Sequence, residues 1–140
     1  MNCAYHVSVD QAAVLFRPAG RFTEVEFIQL LRVALADPRR SRQFAHIWDT
    51  REIDELVMDS DVISMYRTLL NENVDRLAQE KVAIIAKRPL TRTFSSMLAR
   101  VSPRHPAVFQ LFETMESAAD WVGVSASALT NIPAQDWTEI

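Results

Sequence analysis

The apolar residues of this chain fall into short runs set between polar stretches, and the order of those runs predicts an architecture. Tyr5 to Val9 and Ala13 to Arg17 read as strands, followed by Phe44 to Trp48, Val82 to Ala86 and Ala107 to Phe112. Val82-Ala83-Ile84-Ile85-Ala86 is an uninterrupted apolar run, the pattern of a central strand covered on both faces. Helical spacing follows each of the last four strands. Thr23 and Glu26 form a capping box ahead of Phe27, Leu30, Leu31, Ala34 and Leu35, and Pro38 ends that helix near Ala36. A second helix covers much of Asp59 to Ala78, with Val62, Tyr66, Leu69, Leu70 and Leu77 on one stripe. A third follows Pro89, with Phe94, Met97, Leu98 and Val101 on one face, and ends at Ser102-Pro103. Thr114 or Ser117 caps a short helix carrying Ala118, Trp121 and Val122. The order β-β-α-β-α-β-α-β-α predicts an α/β fold: a mixed, mostly parallel five-stranded sheet with about four helices.

The two glycines punctuate this order. Gly20 is expected in a tight turn between the second strand and the first helix, and Gly123 as a left-handed cap on the last helix. Beyond it Leu129, Ile132, Trp137 and Ile140 are too apolar for a solvated tail. The expected division is therefore a domain over residues 1–123 and a C-terminal extension over 124–140, docked on that domain or on a second subunit.

Composition narrows the classes. The chain has 140 residues, enough for one domain with a substantial core. Cys3 is its only cysteine, so an intrachain disulfide or a multi-cysteine zinc site is excluded. With 49% hydrophobic and 24% charged residues it has the balance of a folded protein. A net charge of -3 supplies no basic field, so no nucleic-acid partner is expected. Neither a secretory signal nor a run of membrane-spanning length is evident, and a cytoplasmic protein is the expectation.

Several local features together resemble the SpoIIAA-like family, within the wider STAS/SEC14-type group of bacterial α/β domains. They are Gly20-Arg21-Phe22-Thr23 leading into an amphipathic helix, a strand ending in Trp48-Asp49-Thr50-Arg51, the strand Lys81 to Ala86, Val108 to Phe112, and a closing helix Glu116 to Val122. The resemblance spans about residues 5 to 123, a judgement from element order and local motifs. It implies a mixed five-stranded sheet and no single activity. Phosphorylatable members that partner anti-sigma factors carry an Asp-Ser-x-Gly-like turn at a helix start. The nearest counterpart here is Asp59-Ser60-Asp61-Val62, which lacks the glycine. Ser60 is the candidate phosphorylation site, and the plain alternative is that Ser60 or Asp59 caps the helix.

Candidate chemistry gathers at strand ends. Asp49, Thr50 and Arg51 follow the third strand and Lys87 and Arg88 the fourth; ligands of parallel sheets collect beyond such ends. Asp49, Arg51, Lys87, Arg88 and Arg92 are the candidate ligand-binding residues, suited to phosphate or carboxylate. Asp49 is not a receiver-type phosphoacceptor, because Arg17-Pro18-Ala19-Gly20 offers no acidic pair for magnesium. Asp54, Glu55, Asp59 and Asp61 read as a solvated acidic loop, and no metal site, catalytic residue or cofactor is expected. His46 lies inside a strand, and Arg39-Arg40-Ser41-Arg42 in a loop. Two readings follow. One is a non-enzymatic module that binds a protein partner or itself, as a homodimer. The other is a carrier or sensor for a small apolar or anionic ligand, with Met58, Met65, Met97, Met115, Phe94 and Trp121 beside Lys87, Arg88 and Arg92.

Overall fold

Pro18 decides where the main sheet gives way to a second one. Strands β1 (Ala4–Ser8) and β2 (Ala13–Arg17) form an antiparallel hairpin. Buried Pro18 has no N–H to continue the ladder, so the chain leaves the sheet there. Strand β3 (Ala19–Thr23) pairs instead with β5 (Glu52–Val57), in parallel, as a separate ribbon. Strands β4 (Ala45–Asp49), β6 (Lys81–Ile85) and β7 (Val108–Phe112) extend the main sheet in parallel, and β8 (Thr138–Glu139) pairs antiparallel with β1. The resulting six-stranded order is β7-β6-β4-β2-β1-β8. The computed structural model describes residues 3–40, 44–57, 61–73, 80–101 and 108–140. Ser60, with Met58, Asp59, Arg42, Leu77, Pro103 and His105, lies outside the described residues.

The helices follow the capping signals. Helix α1 (Glu24–Ala36) opens on the Thr23–Glu26 capping box and stops before Asp37 and Pro38. Helix α2 is Asp61–Glu72, and α3 is Arg88–Val101, with Pro89 in the first turn, where a missing N–H costs nothing. Helix α4 (Met115–Val122) is capped by Thr114, whose hydroxyl accepts from the Ser117 N–H at 3.1 Å, and ended by Gly123 at φ 84°. A short helix α5 (Ala126–Thr130) and a 3-10 turn (Ala134–Asp136) lead to β8.

Three expectations are corrected. The main sheet has six strands, the sixth being β8. Gly20 does adopt positive φ, at 67°, but inside β3, where the register shifts between Gly20 and Arg21. Asp54 and Glu55 lie on β5 rather than in a loop.

Each central strand feeds two cores. Val14, Phe16, Trp48, Val82 and Ile84 pack with Leu30 and Leu31 of α1, Leu69 of α2 and Phe94 of α3. Their alternates Leu15, Ile47, Ala83 and Ile85 pack with Met115, Ala118 and Ala119 of α4 and Leu129 of α5. The second face is thus covered by residues that follow the last parallel strand.

Candidate functional site

A groove of about 170 Å³ opens at the carboxyl ends of β2 and β4, on the second face. Leu15 and Arg17 reach it from β2, two positions apart and so on one side of the strand. Asp49 ends β4, Arg51 occupies the turn, and Glu52 begins β5. Met115 of α4 and Leu129 and Thr130 of α5 form the facing wall, completed by Ile132 and Trp137.

Asp49 and Arg51 satisfy each other. The carboxylate accepts from Arg51 Nε and Nη2, both at 2.8 Å, and from the Arg51 backbone N–H at 3.2 Å. That bidentate contact raises the Arg51 pKa further above its usual value and fixes the side chain. Arg17 differs. Its guanidinium lies 4.0 Å over the Trp137 ring, and among the described residues it makes no hydrogen bond and no ion pair. The ring contact engages the cation without using an N–H donor in a hydrogen bond. Glu52 likewise has no hydrogen-bonding partner among the described residues. The Thr130 hydroxyl donates to the Ala126 and Ser127 carbonyls, both at 3.2 Å, and so caps its own helix.

The strand-end residues divide on inspection. Asp49 and Arg51 line the groove; Lys87, Arg88 and Arg92 do not. Lys87 and Arg92 are exposed, and Arg88 stands 3.9 Å from Glu113 at high exposure, a contact that solvent weakens. Thr50 is buried and donates to the Ile85 carbonyl at 2.7 Å, tying the two strand ends together. The apolar set is also split: Phe94 packs on the first face, Met115 and Trp121 on the second, and Met65 is exposed. Arg17 and Glu52 were not among the candidates, and Trp137 was expected only as part of a docked tail, not in the groove. The strand-end rule applied to β2 finds Arg17, whereas nothing local brings Trp137 to it across 120 positions.

Two polar clusters lie elsewhere. Arg40, His46 and Glu80 are buried together toward the amino ends of β4 and β6. Glu80 accepts from Arg40 Nη2 and from His46 Nε2, the latter at 2.8 Å. Burial holds the His46 pKa below its usual value despite Glu80. On β1, the Tyr5 hydroxyl donates to Asp37 at 2.9 Å, and Arg39 grips the same carboxylate through Nε and Nη2. Those bonds hold Asp37 well below the usual carboxylate range. Cys3 is buried and its thiol is pushed up by desolvation, so it is a poor nucleophile. No group of three or more metal-ligating side chains occurs among the described residues. No described helix is long and apolar enough to cross a membrane.

Neither a family model nor a curated protein matches the sequence. A solved structure does: an uncharacterised protein of the DUF3478 family from Shewanella loihica PV-4, described as having a SpoIIAA-like fold. It aligns over 86% of this chain and 94% of its own, with a TM-score of 0.56 and 22% identity. The fold is SpoIIAA-like. At this identity the likeness is one of architecture, and it agrees with the SpoIIAA-like resemblance of the sequence. Within this SpoIIAA-like frame the groove sits where open α/β sheets place ligands, beyond the carboxyl ends of parallel strands.

Proposed function

We propose that this chain is a non-enzymatic regulatory module that senses a small charged ligand in the groove between β2, β4 and the C-terminal segment. The observation that carries the reading is Arg17: a guanidinium set over Trp137, lining a groove, with no ion pair among the described residues. A few charged groups converging in a concavity are what ligand sites offer. Support for a non-enzymatic role comes from where the reactive groups lie. His46 is locked to Glu80 toward the amino ends of the strands, the Cys3 thiol packs on the opposite face, and Thr130 is committed to backbone carbonyls. None of them forms a nucleophile–base pair at the groove.

The test is a backbone-amide NMR titration of the full chain with acetate, phosphate, methylamine and free amino acids. Shifts confined to residues 15–17, 49–52 and 129–137, lost on Arg17→Gln, are expected. A silent spectrum for every compound overturns the reading. Communication to a protein partner would then be tested by pull-down with and without the ligand that binds.

A further inference from the structure

The charges around the groove point to a ligand class. We propose that the groove takes a small amphoteric molecule, a free α-amino acid; the inference rests on the groove reading above.

The positive pole is Arg17, whose in-plane donors suit a carboxylate bidentately. Acidic groups line the same groove. Asp49, Glu52 and Glu116 all bear on Arg51, so one guanidinium there is set against three carboxylates. Asp49 is saturated by Arg51, which leaves Glu52 as the carboxylate able to receive a ligand ammonium. A simple anion would gain Arg17 and meet repulsion from Glu52. A simple cation would meet the reverse. A zwitterion satisfies both poles.

Leu15, Met115 and Leu129, almost fully buried themselves, form the floor beneath these charges, with half-buried Ile132 at its edge. Size agrees as well. The groove, at 170 Å³, is close to the roughly 150 Å³ cavity that accepts benzene, which suits a molecule of few heavy atoms.

The experiment compares L-leucine, N-acetyl-leucine, leucinamide and inorganic phosphate by isothermal titration calorimetry on the full chain. Leucine is expected to bind about tenfold or more tighter than either blocked form, since each block deletes one charged contact. Glu52→Gln is expected to abolish the preference for leucine over N-acetyl-leucine, and Arg17→Gln the preference for leucine over leucinamide. The comparison of compounds on the wild-type chain holds even where a variant folds poorly. N-acetyl-leucine binding as tightly as leucine, or phosphate binding more tightly, overturns the amphoteric class and leaves the groove reading in place. Absence of binding by all four, with the wider NMR panel silent, overturns both.

Discussion

Leu129→Ala tests whether the C-terminal segment is part of the core. Leu129 is 3% exposed and packs with Leu15, Ile47 and Met115, although it lies on a five-residue helix far along the chain. Truncating a fully buried leucine costs about 2.7–5.0 kcal/mol, the larger losses coming where a sealed cavity remains. Here the deleted methyls border the open groove, so the space merges with solvent and no sealed void forms. The expected loss is therefore at the lower end, about 2–3 kcal/mol. Urea unfolding followed by tryptophan fluorescence reads it as a lower midpoint at unchanged slope. Thermal unfolding should fall by about 6–10 °C for a chain of this length. Val25→Ala is the control, since Val25 is 64% exposed and should shift stability by no more than about 0.5 kcal/mol. A loss below about 1 kcal/mol for Leu129→Ala would refute the packing of α5 against the sheet.

Three other outcomes follow from the geometry. Gly123→Ala should cost about 1 kcal/mol, read as a midpoint shift: nothing lies within 4 Å of an added Cβ, so the whole effect comes from φ 84°, and an unchanged midpoint would contradict the left-handed cap. Glu80→Gln should cost about 3–5 kcal/mol in the same assay, because it removes the carboxylate from a buried ion pair with Arg40; a loss under 1 kcal/mol would show that the cluster is solvated. Asp37 has a folded pKa depressed below its ordinary 3.8, so its stabilisation is complete above that value and is lost as pH falls through the folded one. The stability gap between wild type and Asp37→Asn should accordingly be constant near neutral pH and shrink below about pH 4, and a gap independent of pH down to 2 would contradict the Tyr5–Asp37–Arg39 geometry.

What the sequence made legible was whatever short-range chemistry specifies. The Thr23–Glu26 box, the Thr114 cap and the Gly123 cap are each written within four residues, and the structure carries all three. The run Val82 to Ile85 is buried on both faces, as its unbroken apolarity required. The ribbon of β3 and β5 was hidden because neither strand alternates cleanly. Glu52-Ile53-Asp54-Glu55 buries only Ile53, and Gly20 introduces a register shift. Two-residue β8 falls below any periodic signal. At the candidate site, Asp49 and Arg51 were visible as a charged strand end, but their mutual pairing was not, because it depends on the turn geometry that brings the two side chains together.

The placement of the groove follows from the handedness of the chain. From β2 the chain adds β4, β6 and β7 in one direction, and parallel crossovers are right-handed almost without exception. All three connections must then lie on one face, and α1, α2 and α3 do. The other face can be covered only by chain outside those connections. Residues 115–140 supply that cover with a short helix, a shorter helix and a strap, too little to seal the sheet to its edge. The carboxyl ends of β2 and β4 therefore remain open beneath α5 and Trp137, and the polar residues of those strand ends meet an apolar lid in a concavity. A one-way sheet thus creates its own recess, and the residues that end the chain choose its shape. A ligand bound to Arg17 would touch Trp137 and Thr130 as well as the sheet, so its arrival should be felt first by the C-terminal segment, through the two-residue pairing of β8 with β1. Amide exchange of Thr138 and Ile140 should slow when ligand is added, and unchanged exchange at both positions would refute this coupling.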